Sequence, residues 1–412
     1  MAKRSVTVLA LVWLVVIVAV ISSAVTLSVA GPVSASTGEY EVSRAEYDMI
    51  ERYSRLETIR QTMLTEYYQP LDDDALLTGA ARGMLQAAED PYTFYYTPEE
   101  MAESNEDANG VYNGIGVLVN ATEDGRICVL RVFKNSPAMD AGLLPGDIIC
   151  AVDGEAVGAE NSLDMSAAIK RIKSGAAGTE VMLTIERDGE QLELGVLRAQ
   201  VTFNRVEYTI LDGNIGYLEL YDFQGDAVEG FREALSAFEA AGVKGMIVDV
   251  RDNPGGYLNV VVDICDMVLP EGLIVYTEDR DGRREEYRSS ANMCDIPMVV
   301  LVNGNSASAA EIFSAAVQDY ERGLLVGETT FGKGIVQSII TFREDGAGMQ
   351  LTTSSYFTPK GRSIHKTGVE PDVKVEMNED YNAAVFAPDP ENDSQLRTAI
   401  DTLNEMLRNA NP

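Results

Sequence analysis

Histidine is nearly absent from this chain of 412 residues, which has a single imidazole, His365. A Ser-His-Asp hydrolase would have to use it. It lies in Pro359-Lys360-Gly361-Arg362-Ser363-Ile364-His365-Lys366, a cationic, turn-rich stretch that reads as a solvated loop. Cysteine is scarce as well: Cys128, Cys150, Cys265 and Cys294 are far apart and show no CxxC spacing. With one histidine to add to them, neither a zinc finger nor a mixed Cys/His cluster can be assembled, and no metal or other cofactor is expected. Cys128 and Cys150 sit in strand-like runs and read either as an extracellular pair or as buried free thiols. Positive charge is also in short supply, with 32 basic against 65 acidic side chains and a net charge of −33. Such a surface repels a phosphate backbone, which argues against a nucleic-acid partner.

What is present begins with a long apolar run. Lys3 and Arg4 precede Val6 to Ala30, which is interrupted only by Ser and Thr, and no charge follows until Glu39. That length can span a bilayer with its basic flank on the cytoplasmic side. Ser28-Val29-Ala30 and Val33-Ser34-Ala35 both have the small residues of a cleavage site, so residues 1–37 read as a signal peptide or as a membrane anchor with a linker. Either way the rest of the chain is exported, held at the cell membrane in the second case and secreted in the first. Residues 38–107 read as helical. Ile50, Tyr53, Leu56, Ile59 and Met63 recur at three- to four-residue spacing and form one apolar stripe. The stripe packs against its own domain or against a second copy. Pro70 and Asp72 to Asp74 end this helix and open the next, Ala75 to Ala88, and Asp90-Pro91-Tyr92-Thr93-Phe94-Tyr95-Tyr96 closes the region as an aromatic turn.

From about Asn109 the pattern changes to short strands. Tyr112-Asn113-Gly114-Ile115-Gly116-Val117-Leu118-Val119 places glycines just before a strand. Asn135 to Ile149 then reads as a short helix, a Leu-Leu-Pro-Gly-Asp turn and another strand, followed by Val152-Asp153-Gly154. A helix, Leu163 to Ile172, and a strand, Glu180 to Arg187, complete the unit. In this order the elements resemble a PDZ domain over residues 108–200. The resemblance implies a groove that adds an extended peptide as a strand, its terminal carboxylate held by the amides of Gly114, Ile115, Gly116 and Val117. A small sandwich without a ligand is the other reading.

Strands and helices alternate from Gly213 onward. Gly245 to Val250 reads as a buried strand that feeds Arg251-Asp252-Asn253-Pro254-Gly255-Gly256-Tyr257, where paired glycines let the backbone approach a ligand and aim an N–H at it. Met298 to Val302 reads as a second buried strand, Asn303 to Ala307 as a tight loop and Ser308 to Tyr320 as a helix; the strand Leu324 to Val326 then leads to Gly332-Lys333-Gly334. A serine at a helix start meets unpaired N–H groups that favour developing negative charge. A lysine can take its proton only if neutral, and burial without a carboxylate partner lowers an ordinary pKa of about 10.4. Ser308 and Lys333 therefore read as nucleophile and base. The plainer reading of Ser308-Ala309-Ala310-Glu311 is a capping box. Gly327 to Lys333 fits seven positions of a P-loop, but Gly334 stands where Ser or Thr must bind magnesium and a strand follows where a helix is required. Ser363 to Gly368 holds both an SxxK and a KTG string, which share one lysine and so cannot face each other across a site.

These residues together resemble the carboxyl-terminal processing peptidases, or tail-specific proteases, which are exported serine-lysine peptidases with a PDZ insert. The resemblance runs from Gly79-Ala80-Ala81-Arg82-Gly83-Met84-Leu85 to Gly368-Val369-Glu370-Pro371-Asp372-Val373. It implies a mixed α/β fold: a ClpP/crotonase-like peptidase core over residues 201–378, an inserted PDZ domain, and helical N- and C-terminal segments, the last over 379–412. It also implies Ser308, the second serine of Ser306-Ala307-Ser308, as nucleophile, Lys333 as base, and Gln337 as the group that orients the lysine. Oxyanion amides would come from Gly255, Gly256 and Ala309. Ala310 departs from a pattern that often has serine there, and Asp319 matches an acidic position sometimes assigned to the site but reads as structural. The implied partners are proteins or peptides with free C-termini, with room for a homodimer and an activating partner. The implied activity is that of an endopeptidase gated by its PDZ domain, against the alternative of a catalytically silent peptide-binding scaffold.

Overall fold

The computed structural model describes residues 43–122, 126–133, 135–158, 163–378 and 388–410. The run Val6 to Ala30, on which the signal or anchor expectation rests, and most of the linker after Asn378 lie outside the described residues. Among the described residues no helix is long and apolar enough to cross a membrane.

Contacts divide the chain after Leu77. The first part carries α1 (Arg44–Glu66), which opens on a capping box in which the Ser43 hydroxyl accepts the Glu46 N–H and the Glu46 carboxylate accepts the Ser43 N–H. Its apolar stripe is present, yet no residue of the helix is buried, and Ile50 and Ile59 stay 57% and 50% exposed. Among the described residues, therefore, nothing covers the stripe that was expected to pack against its own domain or a second copy. The helix α2 (Asp73–Gln86) follows.

In the second part, β1 (Phe94–Tyr96) and α3 (Pro98–Asn109) lead into the small domain. It contains β2 (Val111–Gly114), β3 (Val117–Ala121), β4 (Ile127–Val132), α4 (Pro137–Asp140), β5 (Ile148–Val152), β6 (Glu155–Ala156), α5 (Met165–Lys173), β7 (Glu180–Arg187), β8 (Glu190–Leu197) and β9 (Ala199–Thr202). Strands β3-β4-β5-β7-β8 form one sheet around Val129, Ile149, Leu183 and Ile185, while β2 and β9 pair with each other where the chain enters and leaves. Helix α5 starts two residues later than its periodicity suggests, because the Asp164 carboxylate caps the Ala167 N–H at 2.8 Å.

The larger domain contains β10 (Val206–Leu211), β11 (Ile215–Leu220), α6 (Ala227–Ala241), β12 (Gly245–Asp249), α7 (Leu258–Val268), β13 (Gly272–Asp279), β14 (Arg284–Ser289), β15 (Met298–Val302), α8 (Ala309–Asp319), β16 (Gly323–Gly327), β17 (Ile335–Thr341), β18 (Gly348–Phe357), β19 (Val373–Lys374) and α9 (Ser394–Ala410). Its main sheet has the order β10-β11-β12-β15-β16-β19, antiparallel only between β10 and β11. Every residue of β12 and β15 is buried, as expected of parallel strands covered on both faces. One face packs with α6, α7 and α8, and the other with Leu396, Ala399 and Leu403 of α9. A second sheet runs β1-β18-β13-β14 with β17 also on β18, so residues 94–96 pair with residues 348–350. The four cysteines are free thiols, which decides against the Cys128–Cys150 pair.

Candidate active site

Two loops at the C-terminal ends of β12 and β15 meet and are stitched together. The Ser306 hydroxyl donates to the Val250 carbonyl at 2.7 Å, the Ala307 N–H donates to the Asn253 carbonyl at 2.9 Å, and the Asp252 N–H donates to the Asn303 side chain at 3.0 Å. Ser308 leaves this junction with φ +55° and ψ −112°, a conformation that costs a non-glycine residue about 1–3 kcal/mol and persists only when the surroundings dictate it. Here they do. The buried Glu311 carboxylate accepts the Ser308 N–H at 2.9 Å, while the Glu311 N–H donates to the Ser308 carbonyl at 2.9 Å. The capping-box reading is thus half met: the Glu311 carboxylate reaches back to the Ser308 N–H, but the Glu311 N–H goes to the Ser308 carbonyl and not to its hydroxyl.

The same carboxylate also accepts the Thr330 hydroxyl at 2.6 Å, the Gly332 N–H at 2.7 Å and the Lys333 N–H at 2.8 Å. Tyr356, buried at 1% exposure, adds a second link, its hydroxyl donating to the carbonyls of Lys333 at 2.6 Å and Ser308 at 3.0 Å. Neither link was legible as such, since each joins residues far apart in the chain. The glycines flanking Lys333 close against residues 364–368: a Cβ on Gly334 would sit 2.6 Å from the His365 N. His365 is accordingly half-buried, its Nδ1 accepting the Gly334 N–H at 3.4 Å, and not the solvated loop residue expected.

Ser308, Lys333 and Gln337 line one cavity of about 260 Å³, with Gly256 and Ala309 beside them. Burial holds the Lys333 amine below the ordinary lysine range, opposed by the charges of Asp90 and Glu311. Among the described residues it forms no ion pair, and its Nζ lies 4.4 Å from the centre of the Tyr92 ring. The Gln337 amide does not reach it in this structure, donating instead to the Thr352 hydroxyl at 3.2 Å. Gly255 and Gly256 adopt φ +104° and +147°, and a Cβ on Gly255 would sit 2.7 Å from the Ser308 Cβ. The Gly255 N–H is, however, already given to the Asn253 side chain at 2.9 Å, which removes it from the expected oxyanion donors and leaves Gly256 and Ala309. Asp319 accepts the Lys360 N–H and pairs with Arg362, a structural role.

The small domain forms a second cavity, of about 340 Å³, between the loop before β3 and α5. Gly114, Ile115, Gly116 and Val117 line it together with Ile169 and Ile172. The two domains touch beside it. Arg131 of β4 pairs with Glu219 of β11 at 2.6 Å, its guanidinium lying 3.8 Å over the Tyr221 ring, and Phe133 stacks on Phe203. Burial pushes the Glu219 carboxyl up to about 7, with Arg131 pulling it down.

Residues 214–375 match peptidase family S41, residues 113–197 match the PDZ domain, and residues 22–100 match the N-terminal domain of the activating protease CtpB. The carboxy-terminal processing protease CtpA of Bacillus subtilis is 34% identical over 378 residues, covering 90% of this chain and 78% of that protein. The chain belongs to the carboxy-terminal processing proteases. It is a serine-type peptidase. The corresponding processing protease of Synechocystis is 36% identical over 352 residues, covering 83% of this chain and 80% of its own length. Among solved structures, the photosystem II D1 C-terminal processing protease superposes with a TM-score of 0.53 at 29% identity, covering 81% of this processing protease and 94% of that chain. An S41 protease from Bacteroides fragilis, at 17% identity and a TM-score of 0.55, shares the fold, covering 85% of this chain and 97% of its own.

Proposed function

We propose that this processing protease is an exported Ser-Lys endopeptidase that selects proteins by their C-terminal tails. The observation that carries the proposal is a half-buried lysine amine without an ion-pair partner among the described residues, held by Glu311 and Tyr356 to the segment that presents Ser308. Lys333 takes the proton of the Ser308 hydroxyl as its oxygen bonds to the peptide carbonyl carbon, then gives that proton to the leaving amine as the C–N bond breaks. Water releases the acyl group from Ser308. The Gly256 and Ala309 amides, beside the strained serine, receive the developing oxyanion. Export is supported by the apolar N-terminal run, which would act as a signal or as a membrane anchor. A homodimer is supported by the exposed stripe of α1.

Tail recognition is supported by the glycine-flanked cavity of the PDZ domain, where an extended peptide would add to β3 and end at the amides of residues 114–117. Gating is supported by the Gln337 amide, which bonds to Thr352 and not to Lys333 and which peptide binding would realign. The full chain should cleave an unfolded protein with a free apolar C-terminus, and faster when a matching C-terminal peptide is added. Ser308→Ala and Lys333→Ala should each remove the cleavage, a loss of at least about a hundredfold. Binding of the tail without cleavage by the wild type, with or without peptide, would favour the silent scaffold.

A further inference from the structure

The base of this site is seated by a turn that lies more than two hundred residues before it. In Asp90-Pro91-Tyr92-Thr93 the Asp90 carboxylate accepts the Tyr92 N–H at 3.0 Å and the Thr93 hydroxyl at 2.7 Å, which makes the turn rigid. The turn is also fastened to β18. The Gln350 side chain donates to the Tyr92 carbonyl at 3.1 Å, and the Thr352 N–H donates to the buried Thr93 hydroxyl at 3.1 Å. Thr352 is in turn the residue whose hydroxyl accepts the Gln337 amide. One anchored turn therefore reaches both the lysine and the glutamine of the site, and its Tyr92 ring faces the Lys333 Nζ at 4.4 Å.

We propose that Tyr92 is a positioning residue for Lys333, giving its amine an aromatic seat in both protonation states, with Asp90 holding that seat in place. The inference rests on Lys333 acting as the base. A base that must accept a proton and then release it is poorly served by a carboxylate, which would hold it as an ammonium ion. A ring face attracts the ammonium more weakly and excludes water from the neutral amine. The other groups around the lysine are engaged elsewhere. Glu311 is bound to Ser308, Thr330, Gly332 and the Lys333 N–H, the Tyr356 hydroxyl to two carbonyls, and His365 to the Gly334 N–H. Asp90 and Glu311 contribute through their charge, both favouring the ammonium against burial.

The test is the pH profile of kcat and kcat/KM for the full chain and its Tyr92→Ala, Tyr92→Phe and Asp90→Asn variants. Alongside it, the Lys333 amine is titrated directly by competitive acetylation in a Ser308→Ala background. Tyr92→Ala opens the space over the amine to water, and the relief of burial outweighs the lost ring attraction, so the acidic limb and the amine titration should both move to higher pH, with kcat falling about ten- to a hundredfold and KM little changed. Tyr92→Phe keeps the ring and should restore the wild-type limb. Asp90→Asn keeps an oxygen to accept the Tyr92 N–H, and so keeps the seat, but removes a charge that favours the ammonium, so its limb should move to lower pH. That opposition of sign is something a general folding defect cannot produce. An amine titration in Tyr92→Ala that coincides with the wild type, or shifts of the same sign in Tyr92→Ala and Asp90→Asn, would overturn the inference. Activity retained by Lys333→Ala would instead remove the lysine from catalysis, and the acetylation titration would still decide whether Tyr92 seats its amine.

Discussion

Glu311 has no solvent exposure, yet its carboxylate accepts three N–H groups and a hydroxyl. Four donors converge on two oxygens, so the residue must be an acceptor on both. Glu311→Gln would turn an NH₂ group toward donors and leave buried N–H groups unpaired, at about 1–3 kcal/mol each. The variant should lose about 2–4 kcal/mol of stability by urea unfolding and most of its activity. Ser308 and Lys333 could be picked out from the sequence because a serine at a helix start and a lysine between glycines are local patterns. The reach of Glu311 to residues 330–333 could not, since nothing local distinguishes it from a helix cap. Gly255 illustrates the reverse case: its proline-glycine context is a local sign of an inward N–H, and only the packing of Asn253 shows that this N–H is already taken.

Among the elements, the strands β12 and β15 were plain as short, continuously apolar runs, and they stand at the centre of the main sheet. Helix α9 lies in the C-terminal segment expected to be helical, and its Leu396, Ile400, Leu403 and Leu407 recur at helical spacing, but which surface it covers could not be read from that spacing. It closes the face formed by Ile215, Ile247, Val299 and Leu301, and its Leu403 is completely buried there. Leu403→Ala should therefore cost about 2–5 kcal/mol, read as a lowered urea midpoint with an unchanged slope. The three-residue strand β1 had no signal of its own, because its existence depends on a partner some 250 residues later in the chain. The stripe of α1 shows the limit of periodicity: a pattern reports that a face needs covering and is silent on what covers it.

At the scale of the molecule, the PDZ and peptidase domains are joined through Arg131 and Glu219. The folded protein keeps the Glu219 proton up to about pH 7, whereas the unfolded chain releases it near the ordinary 4.5. Its contribution to stability is therefore complete below about pH 4.5 and is lost as the pH rises toward 7. Glu219→Gln has no such titration, so its stability relative to the wild type should rise across that interval and level off above it. Urea midpoints measured from about pH 5 to about pH 8 would show this slope; parallel curves would refute it. The pairing of β1 with β18 has a consequence for biosynthesis. A chain made from its N-terminus carries residues 94–96 out early, but their partners, residues 348–350, emerge only after the serine and the lysine. On the proposed mechanism, a chain that ends before residue 348 should therefore be unable to cleave a tail that the full chain cleaves, because neither β18 nor its Tyr356 link to Ser308 and Lys333 has yet been made.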